Sequence, residues 1–313
     1  MLNNSIMPKA LIYLLFLSII GLSSCQKRNS QKIDKLVIGF TAGDDPKEMM
    51  TNRTLIANYI KKETGVSKVE CFMSTDYAAV IESMRAKKVD IAYLGEMSYI
   101  LAADRAKAEA IIMTGDPKGR RLTSSVIITG LKSGLKNMDD VKRRAKELSL
   151  VFADPASTSG HLYPRHYLVS VGLDPEKSFK SVSFTNNHPS SIYTAVSGKT
   201  DLACTFRLAL ERLIRKNKLK REDFVILWES ESYVSTPISV RGDLPQAMKD
   251  KIKKAYLELP KKEPETWRKY KDVAYLFYPE EIRKDLILVS CHDSLYNGIR
   301  EMAKNTPNFN YRK

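Results

Sequence analysis

Cysteine and histidine are both scarce, four of each among 313 residues, and neither is spaced for chemistry of its own. Apart from Cys25, near the N-terminus, Cys71, Cys204 and Cys291 are an odd number, far apart, in a chain long enough not to need stapling. That excludes a disulfide framework and, without a Cys-x-x-Cys pair, a zinc site. Cys71 and Cys204 lie inside apolar strand-like runs and read as small buried hydrophobes. His161 and His166 fall on different faces of a helix, and His188 and His292 are isolated, so neither a metal nor a cofactor is expected. No Gly-x-x-x-x-Gly-Lys-[Ser/Thr] run is present to cradle a nucleoside triphosphate, and no Gly-x-Ser-x-Gly elbow to expose a nucleophile.

Acidic residues are also in deficit, 36 against 51 lysines and arginines, for a net charge of +15. Charge alone permits a nucleic-acid or acidic-membrane partner. The basic residues are spread along the chain and form no stripe interleaved with aromatics, so no nucleic acid is expected. A hydrophobic share of 43% over this length fills the cores of two domains or of one large one, and excludes disorder, collagen or coiled coil as a description of the whole.

Residues Met1–Ser24 carry a single charged side chain, Lys9, followed by the mostly apolar stretch Ala10–Ile20. This is shorter than the roughly 18 residues that span a bilayer and reads as a signal-peptide core. It ends in Leu22-Ser23-Ser24-Cys25, which resembles a bacterial lipobox, in which the cysteine takes lipid on its thiol, palmitate among the acyl groups, and becomes the new N-terminus. An ordinary secretory signal with an incidental cysteine is the alternative. The small residues before Cys25 and the polar tether Gln26–Lys32 after it favour the lipoprotein, an exported chain anchored to the surface of the cell or outer membrane and facing the periplasm or exterior.

From Lys35 onward, short apolar runs alternate with amphipathic stretches, the pattern of βα units and a mostly parallel sheet. Strands are expected at Leu36–Phe40, Lys68–Met73, Asp90–Leu94, Ala110–Met113, Ser125–Thr129, Leu148–Ala153, Ser181–Phe184, Leu202–Thr205 and Phe224–Trp228. Helices are expected at Lys47–Glu63, Tyr77–Ala86, Met97–Arg105, Met138–Lys146, His161–Val171, Ser190–Ser197, Leu208–Lys216 and Pro245–Leu259. Lys88-Val89-Asp90-Ile91-Ala92 is echoed by Lys199-Thr200-Asp201-Leu202-Ala203, each placing an aspartate at the mouth of an apolar strand. Either helix-to-strand turns reuse one chemistry, or the chain has two similar lobes, each an open α/β sheet with a ligand between the carboxyl ends of the strands.

The most informative stretch is Leu148–His161, where an apolar strand ends at Asp154, Pro155 stops the pairing, Ser157-Thr158-Ser159 follow, and Gly160 opens a helix. Free N–H groups at a helix N-terminus together with three successive hydroxyls make an anion site suited to a tetrahedral oxyanion. One hydroxyl is enough for a plain N-cap, which is the bland account. His188, between a strand and the next helix, can donate to an anion or simply be a satisfied polar residue. Tyr77 begins a helix and either donates its hydroxyl across the cleft or is a surface ring.

Several motifs, in order and at similar spacing, resemble the solute-binding proteins of phosphonate, phosphite and phosphate ABC importers, the PhnD-like type. They are Asp76-Tyr77-Ala78-Ala79, Met84-Arg85 with Val89-Asp90-Ile91-Ala92, Asp154-Pro155 through Ser157-Thr158-Ser159-Gly160, and the His188 segment with Asp201 downstream. The likeness runs from about Lys35 to Asp243, and the Asp154–Gly160 run is its specific part. The resemblance implies an α/β, two-lobed periplasmic-binding-protein fold, type II-like, each lobe an open mixed sheet flanked by helices, with two hinge crossings. It divides the chain into a signal peptide (1–24), a tether (25–34), lobe 1 (35–126 and 238–313) and lobe 2 (127–237). The implied ligand contacts are Tyr77, Ser157, Thr158, Ser159 and His188 on the oxyanion. Where aminoethylphosphonate binders of this type hold an ammonium with two carboxylates and a tyrosine, this chain has Leu208, Thr236 and Thr123, and Arg207 adds positive charge if it points inward. The amine end is therefore read as lost, favouring phosphite, phosphate or a small alkylphosphonate.

The implied mechanism is capture: both lobes supply contacts, so the ligand favours the closed form, which an ABC permease recognises. Hinges are expected near Ser124–Thr129 and Tyr233–Val240, and the tail from Arg241 completes the first lobe with Trp267, Tyr270 and Tyr275 as packing residues. A triad of Ser157 or Ser159 with His188 and Asp154 or Asp201 has nothing in the sequence to set a nucleophile–base contact, so no enzyme is expected. A monomer is expected. The same fold and site would also serve a sensing module that docks on a receptor or histidine kinase.

Overall fold

The structure, a computed structural model, describes residues 33–41, 45–118, 123–276 and 278–309. The expected signal peptide, Cys25 and the tether up to residue 32 lie outside the described residues. Residues Ile33–Lys313 form one unit by their contacts.

The elements run β1 (Lys35–Thr41), α1 (Pro46–Thr64), β2 (Lys68–Ser74), α2 (Tyr77–Arg85), β3 (Ile91–Tyr93), α3 (Glu96–Ala106) and β4 (Glu109–Gly115). The chain then enters β5 (Ser125–Gly130), α4 (Met138–Arg144), β6 (Ser149–Phe152), a single π turn (Thr158–Leu162), α5 (Tyr163–Ser170), β7 (Ser181–Phe184), α6 (His188–Val196), β8 (Leu202–Phe206), α7 (Arg207–Arg215) and β9 (Phe224–Glu229). It ends with β10 (Pro237–Val240), α8 (Gln246–Lys262), α9 (Pro264–Ala274), β11 (Ile287–Ser290) and α10 (Asn297–Asn305).

These strands form two mixed sheets, one in the order β11-β4-β10-β3-β1-β2 and one in the order β7-β6-β8-β5-β9. The β1 strand is parallel to β2 and β3, while β10 runs antiparallel between β3 and β4. In the second sheet β6 is parallel to β7 and β8, and β5 is antiparallel to β8 and β9. The fold is thus two-lobed α/β, and the chain crosses between sheets twice.

Local chemistry explains the elements. Asp45 accepts from Glu48 N at the start of α1, Pro46 sets the first turn, and Gly65, at φ 73°, ends the helix with its N–H on Lys61 O. Leu36, Ile38 and Phe40 of β1 join Ile56, Ile60 and Ile91 in a core under α1 and α8. The second sheet has a core on each face, one around Leu150 and Phe152 and one around Ile128, Ile192 and Leu210. The aspartate echo has a common physical role: Asp90 accepts from Val37 N at 2.8 Å, and Asp201 accepts from Ser149 N at 2.8 Å. In each lobe a carboxylate at the foot of one strand satisfies a backbone N–H of a neighbouring strand that the ladder leaves over.

Two expectations are corrected. Ser125–Thr129, expected near a hinge, is the buried body of β5, an apolar run held by the ladders of the two strands that flank it. Pro237–Val240 is likewise a strand at the centre of the first sheet. The crossings are the segments before Ser125 and before Pro237, tied to each other by Tyr233 N donating to Thr123 O at 2.9 Å. Trp267 and Tyr270 pack in the first core as expected, but Tyr275 also faces the cavity described next. Cys204 and Cys291 are buried free thiols, whereas Cys71 is only half-buried.

Candidate functional site

Past the end of β6 the backbone turns on itself in a way its sequence dictates. The Asp154 carboxylate accepts from Ala156 N at 2.7 Å, the Asp154 carbonyl accepts from Ser157 N at 2.9 Å, and Ser157 Oγ accepts from Gly160 N at 2.9 Å. Leu162 N reaches back five residues to Ser157 O at 3.1 Å, widening the first turn into a π turn that opens before α5. Gly160 is required: a Cβ there would stand 2.4 Å from Ala153 Cβ and 3.0 Å from both His188 Cε1 and Ser157 Oγ. The expected helix start at His161 therefore moves back to Thr158, and Ser157, Thr158 and Ser159 are presented together, all buried.

These hydroxyls line a cavity of about 300 Å³, the lower end of the range for small-molecule sites. It lies at the carboxyl ends of strands from both sheets, with Thr41 closing β1, Gly95 following β3, Ser157 following β6 and Phe206 closing β8. Tyr77, Thr123, His188, Leu208 and Thr236 line the same cavity. The structure therefore brings together every expected site residue except Arg207. That guanidinium does not line the cavity and is taken up by Glu211 at 3.1 Å and Glu229 at 2.8 Å.

His188 is the first residue of α6, with Asn187 capping that helix through Ser190 N. Its Nδ1 lies 3.0 Å from Thr205 Oγ1 and its Nε2 3.4 Å from Ser157 Oγ. Burial pushes its pKa down to about 4, so the ring is neutral at pH 7. A Thr205 hydroxyl donating to Nδ1 leaves Nε2–H to point toward Ser157 and the cavity. Burial likewise pushes the Tyr77 hydroxyl above its ordinary range, keeping it a neutral donor.

The two halves touch at this site. Helix α3 begins at Gly95, which has no side chain to cap it, and Thr158 from the other lobe supplies the missing acceptor to Met97 N at 2.8 Å. Ser98 Oγ donates to Ala156 O at 2.8 Å. The Asp154 carboxylate, raised by burial, also accepts from the Tyr77 backbone N–H. Arg212 of α7, in the cavity wall, donates to Glu48 of α1 at 2.9 Å, with Lys216 Nζ on the same carboxylate oxygen at 2.5 Å.

Sequence reasoning missed Glu96, Arg212, Tyr233, Tyr275 and Tyr278, all in the cavity wall. Glu96 had a usable signal, since it directly follows the carboxyl end of β3, where ligands of such sheets sit. Arg212 had one as well: it is four residues after Leu208, on the same face of α7, whereas Arg207 shares its face with Glu211. Among the described residues no cluster of three or more histidine, cysteine, aspartate or glutamate side chains is arranged to hold a metal, and no helix is long and apolar enough to cross a membrane.

Comparison with known proteins agrees with this geometry. Residues 38–275 match the sequence model of a family described as ABC transporter, phosphonate, periplasmic substrate-binding protein. The chain is 28% identical over 246 residues to the phosphonates-binding periplasmic protein of Escherichia coli, covering 78% of this chain and 72% of that one. It is 29% identical over 211 residues to the phosphate-import protein PhnD of Mycolicibacterium smegmatis, covering 64% of each. Among solved structures, PhnD1 of Prochlorococcus marinus in complex with methylphosphonate shares the fold, with a TM-score of 0.72 at 20% identity, covering 87% of this chain and 97% of that one.

Proposed function

The chain belongs to the phosphonate-binding family of periplasmic substrate-binding proteins of ABC transporters, and within it we propose that this member captures a phosphorus oxyanion, phosphite, phosphate or a small alkylphosphonate, and delivers it to a permease. Membership makes it a binding component and not an enzyme. The single observation that carries the ligand class is the convergence of Ser157, Thr158, Ser159, Tyr77 and His188 on one cavity at the strand ends. Such a set offers hydroxyl and imidazole donors in a dry cleft, where they replace the hydration shell of a tetrahedral anion. Thr123, Leu208 and Thr236 supply a neutral wall beyond the oxyanion, and Arg207 takes no part.

The proposed moving units follow the expected division into residues 35–126 with 238–313 and residues 127–237, with the cuts moved to the paired crossings before Ser125 and before Pro237 so that β5 and β10 each stay whole in their own sheet. Because the hydroxyl cluster comes from one unit and Tyr77 from the other, a ligand touching both favours closure. We further propose that Met1–Ser24 is removed as a signal peptide and that acylated Cys25 holds a monomer at the membrane surface through its tether.

The test is calorimetric titration of the chain from Lys27 onward with phosphite, phosphate, methylphosphonate and 2-aminoethylphosphonate. Tight binding of one of the first three with weak 2-aminoethylphosphonate is the expected result. A preference for 2-aminoethylphosphonate refutes the neutral wall, and no heat from any of the four refutes the oxyanion reading.

A further inference from the structure

We propose that Glu96 shares one proton with the bound oxyanion and so makes this site select ligands that carry a proton on oxygen, a refinement that rests on the oxyanion reading above. An oxyanion cavity is expected to offer donors, yet Glu96 lines it, only 4% exposed, with a carboxyl group. Its Oε1 accepts from Thr236 Oγ1 at 3.1 Å, and it is hydrogen-bonded by Thr158, one of the three hydroxyls of the anion cluster. Thr158 already accepts from Met97 N, so its own hydrogen is what Glu96 receives. The carboxyl therefore sits one hydrogen bond away from the proposed position of the ligand's oxygens. Among the described residues, no lysine, arginine or histidine forms an ion pair with Glu96, and its hydrogen-bond partners are its own backbone N–H and two threonine hydroxyls. A carboxylate facing an unprotonated oxyanion there would set two acceptors of like charge against each other in a desolvated space. One proton between them removes the conflict, whether it is described as P–OH donating to the carboxylate or as the carboxylic acid donating to P–O⁻.

The surroundings point to the same oxygen. Burial raises the Glu96 carboxyl above the usual carboxylate range, only partly offset by its own backbone N–H and the two threonine hydroxyls. The other titratable groups facing this region include Tyr77 at the head of α2, Tyr233 in the second crossing, Tyr275 and Tyr278 after α9 and Tyr296 before α10, all pushed up by burial and neutral. Asp154, also raised by burial, has two backbone donors of its own. In the same cavity wall His188 is pushed down to about 4, and Arg212 is paired with Glu48. Around neutrality the shared proton is the one whose position depends on the ligand. Sulfate, equal in shape and without a proton at neutral pH, is the natural counter-ligand.

The experiment is calorimetric titration of the full chain in detergent solution with methylphosphonate, phosphate, 2-aminoethylphosphonate and sulfate. It is run in two buffers of different ionisation enthalpy from about pH 6 to 8.5, for the wild type and Glu96→Gln. The wild type is expected to take up about one proton per methylphosphonate on the alkaline side of the ligand's second ionisation, its affinity falling about tenfold per pH unit there, and to ignore sulfate. In Glu96→Gln the amide N–H donates to an unprotonated oxygen, so the uptake vanishes, the profile flattens and sulfate gains at least about tenfold in affinity. Uptake that persists unchanged in the variant belongs to another group, such as His188, and overturns the inference while leaving the oxyanion reading intact. A loss on Glu96→Gln confined to 2-aminoethylphosphonate overturns it too, since the carboxylate would then be facing an ammonium. If the variant does not fold, the wild type alone decides, and absence of proton uptake above the second ionisation overturns the proposal. A wild type silent to all four ligands removes the oxyanion reading and this refinement together.

Discussion

Glu48 of α1 joins the two lobes through Arg212, a residue of the cavity wall, and replacing it with glutamine tests whether that ion pair contributes to closure. Its carboxylate lies 2.9 Å from Arg212 Nη2 and 2.5 Å from Lys216 Nζ, and the side chains of the two cations are only 10% and 12% exposed against 30% for Glu48. Two unit charges about 4 Å apart attract by about 4 kcal/mol at an effective dielectric of about 20, and by about 1 kcal/mol in water. Partial exposure of Glu48 and the cost of ordering long side chains reduce that gain, so the closed form should lose about 1–2 kcal/mol relative to the open one. A ligand that contacts both lobes binds only the closed form, so its affinity falls by the same factor, about 5- to 30-fold, wherever the free protein is mainly open. Where the free protein is mainly closed, the loss appears instead as an increased radius of gyration without ligand. The assay is titration with the tightest oxyanion at low and at high salt, alongside small-angle scattering of the free chain. The difference between wild type and variant should shrink as salt screens the pair. Glu265→Gln, which removes an exposed pair with Arg268 on α9, serves as the control and should change neither. An affinity within about twofold of wild type, together with an unchanged scattering profile, would refute the latch, because a shift of even 1 kcal/mol exceeds that.

The remaining expectations concern the anion turn and the buried histidines. Thr158→Ala removes the hydroxyl that holds Glu96 in the cavity wall and the side-chain acceptor that caps α3, so it should lower unfolding stability by about 1 kcal/mol and weaken oxyanion binding less than Ser159→Ala, which removes a cavity donor and should cost about 1–3 kcal/mol in binding alone. Gly160→Ala sets a methyl group against Ala153 Cβ and His188, and should cost about 1–3 kcal/mol in urea unfolding while abolishing binding; native stability would show that the turn yields. His188 and His161 are held near 4 and 3, below the ordinary 6.5, so the unfolded chain binds more protons than the folded one between those values. Stability should therefore be unaffected by these groups above pH 6.5 and decline as pH falls below it, and His188→Asn should flatten part of that decline. With the ring neutral through burial, the proposed donor role of His188 predicts that His188→Ala weakens binding by the same factor at about pH 6 and about pH 8; a penalty that grows on the acid side would show a cationic ring instead.

What the sequence announced and what it concealed separate along physical lines. Long strands flanked by helices were legible because both periodicities are strong, as in Leu36–Phe40 followed by Lys47–Glu63. The Asp154–Gly160 run was legible because hydroxyls, proline and glycine each constrain the backbone in a known way. Strand β10 was not, since four residues opening with a proline resemble a linker until β3 and β4 are seen on either side of it. The choice between Arg207 and Arg212 turned on which face of α7 meets the cleft, a tertiary fact only hinted at by Leu208 and Leu213. Glu96 escaped because an acidic residue at the start of a helix has a sufficient local explanation in the helix dipole, and only the cavity gives it another.

The place of β10 also fixes the order in which the molecule can be completed. The second sheet is made from one uninterrupted stretch whose ends meet, with Ser230 N on Ser125 O at 2.9 Å and Ser125 N on Ser230 Oγ at 2.9 Å. The first sheet, begun at Lys35, cannot close until residues 237–240 are inserted between β3 and β4. During synthesis and export, the half that emerges first is therefore the half that finishes last, holding open a gap in its own centre while its younger neighbour folds. A chain stopped at Glu229 should display a structured second half joined to a first half still accessible to protease, and a chain extended through β10, α8, α9 and β11 should protect both.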